Sequence, residues 1–191
     1  MAHIFFIDPI EKLNIKKDST LMMALTFQQM GLESYILFEK DFFVTNSQTP
    51  KLGVYTFSGE FREKEFYLDQ FVQKEKVMRL IDKQDIIHMR IDPPYDSRYQ
   101  RYLWMLDFIQ QQTGCTVLND PLKIMKHNEK LVAYRSLEYS HPSFIGASEL
   151  AFADFTQNLQ RDGHKEIILK PLDLYSGIGV EKVKMEECSG S

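Results

Sequence analysis

Ile4-Phe5-Phe6-Ile7-Asp8-Pro9 is the stretch that decides the fold. Four consecutive apolar residues cut off by an acidic residue and a proline are the pattern of a β-strand buried on both faces, as in a parallel sheet, that ends at a functional edge. Outward from it, a polar loop leads to Asp18 and Ser19, which stand where a helix N-cap belongs. Leu21-Met22-Met23-Ala24-Leu25, Phe27 and Met30 follow before Gly31 stops the pattern. Tyr35-Ile36-Leu37-Phe38 supplies the next strand, so strand, capped helix and strand make a right-handed βαβ unit. This is a Rossmann-like start.

Further along, residues 46–82 alternate aromatics with charges and show no strong period, so no element is assigned there. Asp85-Ile86-Ile87-His88-Met89 is a second buried strand, ending in the charged proline turn Arg90-Ile91-Asp92-Pro93-Pro94. Ser97 then caps a helix whose Tyr99, Tyr102, Leu103, Leu106 and Ile109 share one face, and Gly114 ends it before the strand Thr116-Val117-Leu118. Asn119-Asp120-Pro121 breaks this pattern. Beyond it the sequence predicts a helix over 128–136, an extended 141–145, a helix over 148–159, strands at 166–170 and 180–185, and a glycine-bearing loop between those strands. The expected architecture is α/β: residues 1–120 form a Rossmann-like domain with a parallel sheet, and residues 121–191 form a small α+β domain.

Composition narrows the function classes. The 191 residues carry 23 Lys+Arg against 27 Asp+Glu, a formal charge of −4, with 43% hydrophobic residues. That is a folded, mildly acidic chain, away from the disordered and collagen-like classes. No basic run exceeds Lys16-Lys17, which argues against nucleic-acid binding. Cys115 and Cys188 lack neighbours at metal-ligand spacing, so neither a zinc site nor a disulfide framework is indicated and a reducing cytoplasm is the expected location. The apolar run at the N-terminus is too short for a signal-peptide core or a membrane span.

Four stretches are candidates for chemistry. Asp8-Pro9-Ile10 through Asp18-Ser19 lies at the carboxyl end of the first strand and the start of the first helix, where open α/β sheets bind ligands. The plainer reading is a proline turn and a helix cap. In the turn Met89-Arg90-Ile91-Asp92-Pro93-Pro94-Tyr95-Asp96, Arg90 suits a bidentate carboxylate clamp; its plain alternative is a surface pair with Asp92. Asn128-Glu129-Lys130 opens a helix, and Lys170 ends a strand before Asp173-Leu174-Tyr175-Ser176-Gly177-Ile178-Gly179. Two lysines beside a glycine loop suit a nucleotide's phosphates, whereas either alone suits a solvated surface. The glycine fingerprint of dinucleotide-binding enzymes is missing, because Asp8-Pro9-Ile10 occupies its place.

Together and in this order, the Asp8–Ser19 run, the Arg90–Asp96 turn, Asn128-Glu129-Lys130-Leu131 and Ile168-Leu169-Lys170-Pro171-Leu172-Asp173 resemble the bacterial type of glutathione synthetase, an ATP-grasp ligase family, from about residue 3 to about residue 184. The resemblance implies a pre-ATP-grasp substrate-binding domain followed by an ATP-grasp lid. It implies joining of γ-glutamylcysteine to glycine through an acyl phosphate, with ATP and Mg²⁺ in the cytoplasm and without nucleic acid or membrane. By the same resemblance Lys130, Lys170, Asp173, Ser176, Gly177 and Gly179 would contact ATP, and Asp18, Ser19 and Arg90 would contact the dipeptide. Leu174 and Ser176 stand where the family usually has glycine. No catalytic side chain or metal ligand is assigned here, because the family's large C-terminal domain supplies the magnesium ligands. That domain is expected to be absent, the lid truncated, the chain alone inactive, and self-association to follow from the exposed edge.

Two other readings stand beside this one. A non-catalytic module that binds a nucleotide or small anionic peptide is consistent with the substituted loop. A nucleotide-dependent oxidoreductase rests on fold analogy alone.

Overall fold

The computed structural model describes residues 1–62, 67–174 and 176–186. Tyr175 and Cys188, noted above, lie outside them, as does Phe66, one of the aromatics within residues 46–82. The chain forms two compact units: residues 1–92 with 96–126, and residues 127–191 with Pro93–Tyr95.

The first unit is built on a six-stranded sheet of order β4-β3-β2-β1-β5-β6. Its strands are β1 (Ala2–Phe6), β2 (Glu33–Leu37), β3 (Lys51–Phe61), β4 (Leu68–Leu80), β5 (Ile86–Met89) and β6 (Thr116–Leu118). β1 pairs in parallel with both β2 and β5, and β5 with β6, whereas β2, β3 and β4 are joined antiparallel. Every residue of β1 is buried, because helices cover both faces. Its side chains alternate between two cores: Ile4 and Phe6 pack on the side of α2 (Ser97–Thr113), with Leu103, Leu106 and Ile109. Phe5, and Ile7 just past the end of β1, pack on the side of α1 (Ser19–Gln29), with Leu21, Ala24 and Leu25. Each such fully buried side chain contributes about 1.5–3 kcal/mol, which makes β1 the axis of the unit.

Asp18 caps α1, its carboxylate accepting the N–H groups of Thr20 and Leu21, both at 2.8 Å. At α2 the expected cap moves by one residue: Asp96 accepts from Arg98 and Tyr99 at 2.9 Å, and Ser97 is the first helical residue. A carboxylate at the positive end of a helix is a better acceptor than the neighbouring hydroxyl. The helix α3 (Pro121–Lys126) closes the unit.

The stretch without a legible period is the β3–β4 hairpin. Phe61 pairs with Leu68 and Glu60 with Gln70, so Asp69 is an extra residue in the ladder. That bulge lets Leu68 and Phe71, three positions apart, reach the same core.

The second unit contains α4 (Glu129–Val132), α5 (Glu149–Arg161) and an antiparallel pair, β7 (Glu166–Leu169) with β8 (Glu181–Lys184). Instead of one helix over 128–136, α4 stops at Val132 and continues as a 3₁₀ turn, Ala133–Arg135. Met185 and Leu159 are buried there, and the amide of Gln160 donates to the Met185 carbonyl at 3.2 Å.

Candidate functional site

In the parallel part of the sheet, β2 lies on one side of β1 and β5 on the other, so the strand order reverses at β1. Open α/β sheets bind ligands in the crevice at the carboxyl ends of the strands flanking such a reversal. The loops leaving β1 and β5 both emerge there, and the Arg90 amide continues the ladder to the Phe6 carbonyl at 2.9 Å. Asp18, Ser19 and Arg90 are brought together at this place. The Arg90 guanidinium donates from Nε to Thr20 Oγ at 2.8 Å and from Nη2 to Ser19 Oγ at 3.4 Å. No carboxylate pairs with Arg90 among the described residues, so the surface pair with Asp92 does not form. Asp92 instead gives its backbone N–H to the Asp8 carboxylate at 2.8 Å. Loss of water around Asp92, then the carboxylates of Asp8 and Asp18, raise its carboxyl above the ordinary aspartate value, and Arg90 acts in the opposite direction.

Just beneath, His88 on β5 is buried against Phe5, with ring centroids 4.4 Å apart and planes 10° from parallel. Its Nε2 lies 3.0 Å from Nδ1 of His3. Burial, then His3, then Arg90 lower the His88 imidazole to about 4. His88 is therefore neutral at pH 7, and positive charge at this strand end comes from Arg90. Thr20 is the residue that the sequence reading missed. Its only signal was adjacency to Asp18-Ser19, since a threonine in a first helical turn looks like an ordinary helix position.

The second unit carries the lysines. Lys130 is half-buried, and its ammonium donates to the carbonyls of Leu172 (3.1 Å) and Leu174 (2.7 Å) and lies 3.6 Å from the Glu129 carboxylate. The Asn128 amide also donates to the Leu172 carbonyl, at 3.1 Å. Lys130 thus braces the loop that follows Lys170. Lys170 itself is exposed and without a hydrogen bond or ion pair among the described residues. It lines a groove of about 780 Å³ together with Phe144, Ile145, Phe152, Ile168 and Gly179. Gly179 has φ +69°, and a Cβ there would lie 2.9 Å from Pro171, so glycine is required for the loop's close approach. Asp173, Ser176 and Gly177 lie on the exposed loop between Lys170 and β8 and do not line that groove. Ser176 takes φ +53°, the left-handed region that favours glycine.

The groove's charged lining is the Lys170 ammonium and the carboxylates of Glu149 and Glu181; its apolar wall and ammonium suit a nucleotide's base and phosphate ends, whereas the two carboxylates oppose an anion. Among the described residues no group of three or more His, Cys, Asp or Glu side chains is placed to hold a metal ion. Among them, too, no helix is long and apolar enough to cross a membrane.

A doubly covered α/β sheet with a ligand crevice at its strand-order reversal defines a broad class of small-molecule-binding proteins. Within it, residues 1–124 match the prokaryotic glutathione synthetase N-terminal domain, and the chain belongs to that family. Among curated proteins it is similar to the glutathione synthetases of Citrobacter rodentium (29% identity over 177 residues, 93% of this chain and 53% of the relative) and Pseudomonas aeruginosa (28%, 91% and 51%). That of Nitrosomonas europaea is 29% identical over 189 residues, 96% of this chain and 55% of the relative. The chain spans about half the length of the curated relatives it matches.

Proposed function

We propose that this chain carries the dipeptide-binding and part of the nucleotide-binding apparatus of a glutathione synthase, an ATP-dependent ligase that joins γ-glutamylcysteine to glycine through an acyl phosphate. The observation that carries the reading is Arg90: a guanidinium anchored by two hydroxyls, in ion-pair contact with no carboxylate among the described residues, at the strand ends of a chain from this family. Arg90 binds a carboxylate of the dipeptide, and Asp18 and Ser19 fix the helix start beside it. Lys170 takes a phosphate of ATP, Gly179 admits the loop backbone, and Lys130 holds that loop, with Asp173, Ser176 and Gly177 contributing from its exposed part. ATP supplies the phosphoryl group that activates the carboxylate. The domains of the reading are a pre-ATP-grasp domain over 1–120 and an ATP-grasp lid over 121–191. Magnesium ligands come from outside the described residues, so the chain by itself does not turn over. The reading includes a cytoplasmic setting. It also includes self-association, supported by exposed apolar side chains such as Leu150 and Ile168 and tested by light scattering at high concentration.

Calorimetric titration of the chain with γ-glutamylcysteine tests this. Binding by the native chain that weakens tenfold or more in Arg90→Gln is expected, from the size of a charge-assisted contact of about 1.5–3 kcal/mol. Equal affinities would refute it. Dipeptide-dependent phosphate release above a Lys170→Ala control, with Mg·ATP and glycine, would show that the chain completes its site by assembly.

The left-handed Ser176, and Leu174 two positions before it, favour one second reading, a module that keeps dipeptide or nucleotide binding without catalysis. The two readings part over ATP: the ligase reading requires saturable Mg·ATP binding that depends on Lys170.

A further inference from the structure

We infer that Thr20 is a positioning residue for substrate recognition: its hydroxyl sets the plane of the Arg90 guanidinium so that the two terminal nitrogens face an incoming carboxylate. The inference rests on the dipeptide reading above. Thr20 is buried, whereas Ser19 beside it is exposed. Its hydroxyl cannot bond back within the helix as threonines often do, because α1 begins at Ser19 and no helical carbonyl lies four residues earlier. The bond it makes reaches across 70 residues to Arg90 Nε at 2.8 Å. Thr20 is in turn fixed by its own N–H, which donates to the Asp18 carboxylate at 2.8 Å. An aspartate cap, a buried hydroxyl and a guanidinium are thereby linked in series.

An arginine presents five N–H donors in one plane, so holding Nε fixes the direction of the other four. The Ser19 contact at 3.4 Å takes up one of them weakly. The remaining edge is the fork that matches a carboxylate's two oxygens. Without the tether the same charge would still attract an anion, but its plane would have to be ordered at the moment of binding.

The test uses the full chain, with Thr20→Val to remove the acceptor at constant shape and Thr20→Ser to restore it. Two readouts are followed: hydrogen exchange of the Arg90 Nε–H by side-chain nitrogen-15 NMR, and calorimetric titration with γ-glutamylcysteine. In Thr20→Val the Nε–H should exchange about tenfold faster and the dipeptide Kd should rise roughly three- to tenfold, with Thr20→Ser returning both towards native values. Unchanged Nε–H exchange in Thr20→Val would overturn the inference, and so would faster exchange with an unchanged Kd. The exchange measurement needs no ligand. A native chain that binds no dipeptide while Thr20→Val still speeds exchange therefore overturns the reading of the crevice as a dipeptide site, and leaves the tether standing.

Discussion

The carboxylate of Asp8 accepts the backbone N–H of Asp92 at 2.8 Å, tying the loop after β1 to the loop after β5. The tie joins the two loops at the carboxyl ends of β1 and β5, so it governs how closely they approach around Arg90. Asp8→Ala should weaken γ-glutamylcysteine binding by about 1 kcal/mol, roughly fivefold, whereas Asp8→Asn, which keeps a carbonyl acceptor, should lose less than half of that. Calorimetry of the two variants decides it. Equal losses would mean that the charge of Asp8, and not the hydrogen bond, is what matters.

The His3–His88 pair makes stability depend on pH. Both imidazoles are lowered chiefly by burial, His88 to about 4 against an ordinary value of 6.5. A group whose folded value is depressed takes up protons preferentially in the unfolded chain, so the stabilisation is complete above pH 6.5 and is lost as pH falls towards 4. For His88 the difference amounts to about 3 kcal/mol. Urea unfolding at steps between pH 7 and pH 4.5 should show this decline, and His88→Leu should flatten it. A level native profile over that range would contradict the neutral buried pair.

At the opposite end of β5, Asp85 is fully buried and accepts from Arg79 (2.9 Å), the Ala2 N–H (2.9 Å) and the Asp82 N–H (3.2 Å). Burial pushes its carboxyl upward, but these donors outweigh burial and hold it below the usual carboxylate range. Asp85→Asn leaves the half-buried Arg79 charge with the exposed Glu33 as its one remaining carboxylate among the described residues, beside the Tyr35 ring, and should cost about 3 kcal/mol at pH 7. Because the folded value is depressed, the native advantage should shrink as pH falls through the carboxylate range. Denaturant midpoints at pH 7 and pH 3 test both statements, and a variant equal to native at pH 7 would refute them.

Lys130 and Lys170 should separate on mutation. Lys170→Ala removes a free ammonium from the groove and should weaken Mg·ATP binding by about 1.5–3 kcal/mol without lowering Tm. Lys130→Met instead takes the ammonium away from the Leu172 and Leu174 carbonyls, of which Leu172 keeps the Asn128 amide, so a lower Tm for the second unit should accompany any loss of affinity. Paired thermal melts and nucleotide titrations distinguish them. A Lys170→Ala chain that binds Mg·ATP as well as native would take Lys170 out of the site.

Legibility in the sequence followed local physics. β1, β2 and β5 carry the short apolar runs Ile4-Phe5-Phe6, Tyr35-Ile36-Leu37 and Ile86-Ile87, and α1 is bracketed by Asp18 and Gly31, so that part of the fold was readable residue by residue. The β3–β4 hairpin was not, because the bulge at Asp69 breaks the two-residue alternation that marks a strand. The cap of α2 was misplaced by one residue, since Asp96-Ser97 offers two good caps in a row. Asp18, Ser19 and Arg90 were visible as residues at strand and helix ends. Their mutual geometry was not, because the Thr20 hydroxyl that organises Arg90 belongs to a contact between distant positions, which no local pattern encodes.

The hydrogen bond from the Ala2 N–H to Asp85 has a practical side. The chain joins the sheet at its second residue, and Met1 projects outward from the amino ends of the parallel strands. A purification tag, fluorophore or surface anchor attached ahead of Met1 therefore leaves from the rim opposite the Arg90 crevice. Immobilised or labelled protein can be titrated with ligands of that crevice without the attachment standing in their way.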